Sequence, residues 1–484
     1  MPYGKIGKRK YAGAKTTAGT GDWNPANNTQ NEEIASSESV LRGRIRQLVR
    51  DVPIMWNIQN KLVDYSVGNG MQFQYKAKSP GGKPRTKLNK EIEKRWKMYS
   101  MGRNCDAGGR LSLREIARLA CRQYNESGEF LGLKVVERGH EFPFKLRMIE
   151  SDWLSQPYAN DLGTEIVEMG VQYVKNTYKI VKYHFQDQLN FLQTVTVNAD
   201  DVLHGFETLR PGQVRGVSPM ACLVLIVDCM NQYLQSELTA AQMIAKIVGF
   251  IESTDLNNYF GRNGNELQED TDIPESDRYS KYQDIDEATL LTLEPGEKVS
   301  FNTQGKQNQE FADFLDVVTR FISVATGLSH HIVSADSKGL NFSNMKAMKN
   351  DMMKTMRVKQ RNMIEWFYNP VFEYFMDGEV LSGKVPVDPV KYFKDKTEYL
   401  EPARFIPPGE DFTDPGREVR AIIEQLENKM TSLQRYYADQ GLDWEEELES
   451  IAESEAKMKE LGLEYAGAVE KLPTNPSKEL DEEE

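Results

Sequence analysis

Apolar residues recur three and four positions apart over one long stretch of the chain: Met220, Leu223, Val227, Met230, Leu234, Leu238, Ala241, Ala245 and Val248. That spacing draws one continuous stripe on a helix. It predicts a helix from 219 to about 251, which at 1.5 Å per residue is a rod roughly 50 Å long. Val224, Leu225 and Ile226 widen the stripe at its N-terminal end, so that end is expected to be more deeply buried. A second stripe, Phe311, Phe314, Leu315, Val318, Phe321, Ile322 and Ala325, predicts a helix over about 308–327. Between the two lies an acidic, weakly hydrophobic region that closes in "TLLTLEPGEKVSF", a strand, turn, strand pattern. Two arrangements fit such a pair: a helical hairpin inside a monomer core, or stem helices that pack between subunits. The pattern admits both.

Elsewhere the pattern changes period. Residues 1–38 are basic and then rich in Gly, Thr and Asn, with few apolar positions, and read as a flexible arm. A helix is expected from Ser39, with Leu41, Ile45, Leu48 and Val49 on one face and Arg42, Arg44, Arg46 and Arg50 around the others. Helices follow near 88–99 and 111–125. Six runs then read as strands divided by turn residues: "EFLGLKVVE", "FPFKLRMIE", "TEIVEMGVQYV", "YKIVKYHFQ", "FLQTVTV" and "DVLHGFE". They predict an antiparallel, α+β unit. A long helix from Ser343, with Ser343 as its N-cap, is expected to reach about Met376. A Pro-rich connection leads to a last helical section over 416–470 and an acidic tail, "KELDEEE".

Composition narrows the chemistry. The chain has 484 residues and a net charge of −13, so tight binding to duplex DNA is not expected, because phosphate neutralisation needs Lys and Arg. Cys105, Cys121, Cys222 and Cys229 form no CxxC and no zinc-finger spacing, which predicts buried free thiols in a reducing setting. No secretory signal is expected, since no apolar segment follows the basic opening "MPYGKIGKRKYAGAK". A membrane span needs about 18 apolar residues in a row. Asp228, Asn231, Gln232, Gln235, Ser236 and Glu237 interrupt the long stripe. "GGKPRTK" is a Gly/Lys loop and not a P-loop, and no zinc-protease, nucleophile-elbow or EF-hand motif is present. His330 and His331 are adjacent and point to different sides, a poor metal clamp. No catalytic residue, metal or cofactor is expected.

One segment suits contact with phosphates. In "HHIVSADSKGLNFSNMKAMKNDMMKTMRVKQR" a polar loop over 329–342 precedes a helix. On it Lys346, Lys349, Lys354, Arg357 and Arg361 share about 140° of one face, at 100° per residue. Met345, Met348, Met352 and Met356 form a neighbouring apolar stripe. A solvated charged face over a Met-packed core fits the same pattern.

"DDVLHGFETLRPGQVRGVSPMACLVLIVDCMNQYLQSELTAAQMIA" resembles the core signature of lambda-type phage portal proteins. Four further matches run in register: "LRGRIRQLVRDVP" with "SVGNGMQFQ", "LEPGEKVSF", "GLSHHIVSADSKGLNFSNMKAMKND", and "FTDPGREVRAIIEQLENKMTSLQRYYADQGLDWEEELESIAESE". They span about 41–456. Phe342, Asn344 and Lys346 stand where the family usually has Tyr, Ser and Arg. The resemblance implies an α+β, portal-type multidomain subunit of wing, stem, clip and crown. Such subunits form a homo-oligomeric ring, usually of twelve, with a central channel at one capsid vertex of the virion, assembled in the host cytoplasm. Laid on this chain it implies an arm over 1–38, a wing over 39–217, a stem helix over 218–251, a clip over 252–305 and a second stem helix over 306–328. A tunnel loop then spans 329–343, a wing spine helix and connection 344–409, a helical crown 410–470 and an acidic tail 471–484. The implied partners are sliding double-stranded DNA, the terminase large subunit, a head–tail adaptor and the major capsid or scaffold protein, with no membrane. Expected channel residues are Lys338, Asn341, Ser343, Lys346 and Lys349. Expected stem-packing residues are Leu223, Val227, Met230, Leu234, Leu238, Phe314, Val318 and Phe321. Another head–tail connector or adaptor is the alternative, though such proteins are usually shorter and lack the helix–insertion–helix plan. A DNA-processing enzyme needs a P-loop or a carboxylate metal cluster, and the sequence offers neither.

Overall fold

The computed structural model describes residues 27–79, 81–155, 160–187, 193–246, 249–253, 297–301, 309–336, 341–409 and 415–462. The chain divides into two units, one of Met1–Val224 with Ile322–Glu484 and one of Leu225–Phe321.

In the larger unit the first helix, α1 (Gln30–Asp51), starts nine residues earlier than the expected Ser39. The reason is local: Thr29 and Glu32 form a reciprocal capping box that satisfies the first free N–H groups. Residues 30–38 are therefore helix, not arm. Next come α2 (Pro53–Ser66), the short strand β1 (Gln72–Tyr75), α3 (Thr86–Ser100) and α4 (Leu113–Ser127). Helix α4 carries its own capping box, Ser112 with Glu115, and ends on Gly128 at φ +85°. A side chain at Gly128 would place its Cβ 2.2 Å from the Val217 backbone carbon, so only glycine fits.

The expected strands form two antiparallel sheets. Strands β2 (Glu129–Val136) and β3 (Phe144–Ile149) join β9 (Val202–Phe206) in the order β3-β2-β9. Strands β4 (Asn160–Asp161), β5 (Glu165–Glu168), β6 (Val171–Val174), β7 (Ile180–Gln186) and β8 (Thr194–Asn198) follow one another as a meander. Leu131, Ile149, Leu154, Val171, Tyr183, Phe185 and Val202 supply one core, which also takes Ile34 of α1.

Three elements depart from the expected pattern. Helix α5 (Val224–Lys246) is shorter than the expected 219–251. Its tail is strand β10 (Gly249–Ser253), paired antiparallel with β11 (Glu297–Phe301) across the acidic insertion. The β-rich "GFIES" has a ladder partner there, and a ladder overrides the stripe. The rest of the insertion, including the first half of "TLLTLEPGEKVSF", lies outside the described residues. After α6 (Gln309–Thr326) and α7 (His330–Ser334), the long helix is interrupted. It runs as α8 (Phe342–Met363), a π turn (Ile364–Tyr368) and α9 (Asn369–Leu381). Pro370 has no N–H to give the preceding turn, and the wider π turn fits where an α turn would clash. Two short helices, α10 (Pro389–Lys394) and α11 (Thr397–Leu400), precede β12 (Ala403–Ile406). The last section is three helices, not one: α12 (Pro415–Glu427), α13 (Leu433–Asp439) and α14 (Trp444–Glu460).

Strand β12 pairs with β1 over four residues, tying the start of the fold to position 406. Around this pair Phe73, Trp96, Phe372 and Phe405 pack with ring centroids 5.0–5.7 Å apart. Arg95 of α3 reaches Glu379 of α9 at 2.6 Å in the same core, so the long helix is anchored by a buried ion pair as well as by rings.

Candidate functional site

The striped helices come first. Along α5 and the turn before it, Leu223, Val227 and Met230 are buried, Leu234 is half-buried and Leu238 is exposed. Across from α5, Tyr233 stacks its ring near Phe311 at 5.8 Å and edge-on to Phe314 at 4.7 Å. Thus α5 and α6 meet through aromatic side chains in the smaller unit. The single stripe read on α6 splits in two. Val318 and Ile322 are buried, with Leu315 half-buried beside them. Phe314, Val317, Phe321 and Val324, spaced three, four and three apart, are all exposed, Phe321 at 61% and Val324 at 83%. Four large apolar residues on one helical face stand in water beside a face already covered.

Two cysteines correct an expectation. Cys105 and Cys121 are buried, but Cys222 and Cys229 are exposed. They lie seven residues apart at the α5 end, turned away from Leu223, Val227 and Met230. Burial raises the thiol pKa of Cys105 to about 12 and of Cys121 to about 11, so both buried thiols stay protonated and inert.

The expected DNA-contacting segment begins where α6 ends. Gly327 takes φ +71°, and a Cβ there would sit 2.9 Å from Thr355 Cγ2 of α8. Asn57 of α2 then donates its amide to the carbonyls of Ile332 (2.9 Å) and Val333 (3.3 Å), which pins α7. Helix α7 ends on Ala335 in the left-handed region. Lys338 lies outside the described residues. The expectation that Ser343 caps the next helix is corrected: Asn341 is the N-cap, its side chain accepting from Asn344 N at 2.8 Å. Ser343 sits inside the first turn and is exposed. Lys346 and Lys349 are half-buried, while Lys354, Arg357 and Arg361 are exposed on the same face. Under them Met352, Met353 and Met356 are buried, and Met345 and Met348 half-buried. Lys359 lies off that face, and burial pulls its ammonium below the usual lysine range.

A charged knot at the root of the long stripe had no forecast. Arg215 is fully buried. Its Nε donates to both Glu129 oxygens (2.8 and 2.9 Å), one terminal nitrogen donates to the Met169 carbonyl (2.8 Å), and the other reaches Glu38 of α1. Glu38 also pairs with Arg42, and Arg42 and Arg46 pair with Asp152. On the far side Glu129 accepts from His204 Nε2 (3.0 Å), so His204 Nδ1 is left to accept from the Tyr183 hydroxyl (3.0 Å). Burial pushes the Glu129 carboxyl up, but the Arg215 charge and the His204 hydrogen bond outweigh it and hold it well below the usual range. Burial raises the Glu38 carboxyl, against the pull of Arg215. Gly216 follows at once and donates its N–H to Glu129 at 3.0 Å. The knot therefore fastens the chain just before the striped helix to α1 and both sheets. The signal available in sequence was one Arg beside one Gly in "QVRGV".

Among the described residues no His, Cys, Asp and Glu cluster could hold a metal ion, and no helix is long and apolar enough to cross a membrane. Fold and surface together describe a structural subunit of mixed helix and sheet. The family model described as "Phage portal protein, lambda family" matches residues 16–360, more than half of the chain, and the chain belongs to that family. It is similar to a probable portal protein of Halomonas phage phiHAP-1, with 23% identity over 469 residues, 94% of this chain and 88% of that protein. Solved structures similar to it include a chain in the neck of an empty GTA particle computed with C6 symmetry (TM-score 0.45, 13% identity, 83% of this chain and 93% of that one). Another belongs to the virion of a native gene transfer agent particle (TM-score 0.45, 13% identity, 83% and 92%). Family membership gives the chain a portal or connector role in a phage particle, a structural role and not a catalytic one.

Proposed function

We propose that copies of this chain close into a ring, of twelve in the family pattern, whose channel passes double-stranded DNA at one vertex of the capsid. The observation that carries this reading is the exposed row Phe314, Val317, Phe321 and Val324 on α6. Contiguous apolar surface of this kind marks an interaction face. The three-four spacing is that of a helix seam, and a second copy offers such a seam at every position of a ring. In this reading 39–217 with 344–409 is the wing, 218–251 and 306–328 are the stem, 252–305 is the clip, 329–343 the tunnel loop and 410–470 the crown. The clip docks the terminase large subunit during packaging and the head–tail adaptor afterwards, and the wing meets the major capsid or scaffold protein.

Charge supports passage over tight binding. Repeating a net charge of −13 around a ring makes the assembly strongly acidic, which repels phosphates and lets DNA slide. Lys338, Lys346 and Lys349 supply transient contacts, with Asn341 and Ser343 shaping the loop. Alanine at Lys346 and Lys349 is expected to change packaging rate or DNA retention in assembled particles. Particles that package and retain DNA as before remove these lysines from the channel.

The assembly claim has its own test. Phe321→Asp places a charge in the exposed row and leaves the buried face of α6 alone. Light scattering after size exclusion is expected to show loss of the ring, with the melting temperature of the subunit unchanged. A ring of normal mass with Asp at 321 rejects this seam.

A further inference from the structure

The Gly/Lys loop "GGKPRTK" has no part in the proposed channel, yet the structure gives it a purpose. Ser79 and Lys83 close a tight turn, Ser79 N donating to the Lys83 carbonyl at 2.8 Å, and Arg85 N donates to the Ala77 carbonyl at 2.9 Å. The chain then enters α3 with no side-chain cap and no acidic residue in its first turn. The N–H groups of Thr86, Lys87 and Leu88 have no helical acceptor, and the helix dipole leaves partial positive charge at this end. In front of them opens a cavity of about 670 Å³, walled by Arg85, Lys87, Lys391, Asp388 and Tyr399 among others.

The charges on its wall decide what fits. Arg85 is paired with Glu398 at 2.7 Å, and the Asp388 carboxylate is engaged in capping α10 through Val390 N at 3.0 Å. Lys87 and Lys391 are exposed and have no ion-pair partner among the described residues. Tyr399 is an independent pointer. It is 7% exposed, it lines the cavity, and its hydroxyl has no hydrogen-bond partner among the described residues. A buried phenol left without a partner beside open N–H groups and two unpaired ammonium groups is a set of donors lacking an acceptor. We propose that this cavity binds a phosphate-type oxyanion, held by the first-turn N–H groups of α3, the ammonium groups of Lys87 and Lys391, and the Tyr399 hydroxyl. A helix N-terminus with flanking cations has the right field and the right donors for such a group. The phosphate can come free in solution or on a nucleic-acid backbone, and the chemistry of the site is the same for both.

The test uses the full chain with inorganic pyrophosphate in titration calorimetry and a short labelled DNA duplex in fluorescence anisotropy. Two variants are compared with the wild type: Lys87→Gln with Lys391→Gln, at exposed positions, and Tyr399→Phe, which keeps the buried ring and removes only the hydroxyl. Pyrophosphate is expected to bind the wild type and to lose measurable binding in the double lysine variant. In Tyr399→Phe it is expected to bind roughly tenfold more weakly, the scale of one hydrogen bond to a charged group. The Tyr399→Phe result separates a built site from general attraction to lysines, which the hydroxyl does not influence. Pyrophosphate binding that is absent in the wild type, or equal in all three proteins, overturns the proposal. With the site established, duplex affinity that falls in the same variants assigns the phosphate to nucleic acid, and duplex affinity that stays constant assigns it to free phosphate.

Discussion

At the scale of single residues, Arg215 has the most at stake. It brings a cation into a space with no water, against Glu129 and Glu38 that are equally buried. Removing one partner of such a cluster leaves uncompensated charge, at a cost of about 3–5 kcal/mol. Arg215→Ala is expected to lower the unfolding free energy in urea on that scale, and an unchanged midpoint contradicts the account. The pH dependence follows from Glu129. Its folded pKa lies below the ordinary 4.5, so its contribution is complete above that value and is lost as pH falls through and below it. The stability gap between wild type and Glu129→Gln is therefore expected to be full at neutral pH and to shrink in acid below 4.5. A gap that widens in acid reverses the sign and rejects the assignment. Nothing in "RPGQVR" announces this knot, because Arg215 meets partners 86 and 177 residues away in sequence. The N-cap of α8 failed for a smaller reason: Asn341 and Ser343 are both good caps, and sequence alone does not say which of them stays outside the helix.

At the scale of elements, periodicity was a good guide wherever one face of an element is buried. Strands β2, β3, β5, β6, β7, β8 and β9 all lie within the runs read as strands, and their antiparallel pairing holds. The pairing of β1 with β12 was not legible, since four residues of "ARFI" become a strand only against a partner more than 300 positions earlier. Periodicity also could not divide the α6 stripe into a covered face and an open one, because both faces carry Phe and Val. Helix α7 offers an element-level check. Asn57 holds it by two hydrogen bonds to backbone carbonyls, each worth about 1 kcal/mol. In Asn57→Ala, amide exchange over 330–334 is expected to speed up while exchange in the β2-β9 ladder stays as it was. Uniform acceleration through the protein points to global destabilisation and not to a tether.

At the scale of the whole molecule, the family was readable because five short motifs fall in order along the chain, although each alone is weak. The match over residues 16–360 rests on the same stretch of sequence. What periodicity left open, monomer core or inter-subunit stem, the exposed row on α6 argues toward assembly. The most direct measurement is the mass of the purified, detergent-free protein by native mass spectrometry, followed by end-on imaging of the particles. The account predicts a closed ring near twelve copies of 55.3 kDa with an open centre, either alone or once capsid and scaffold proteins are supplied. A chain that stays monomeric even with those proteins present contradicts it, and returns the striped helices to the core of a single subunit.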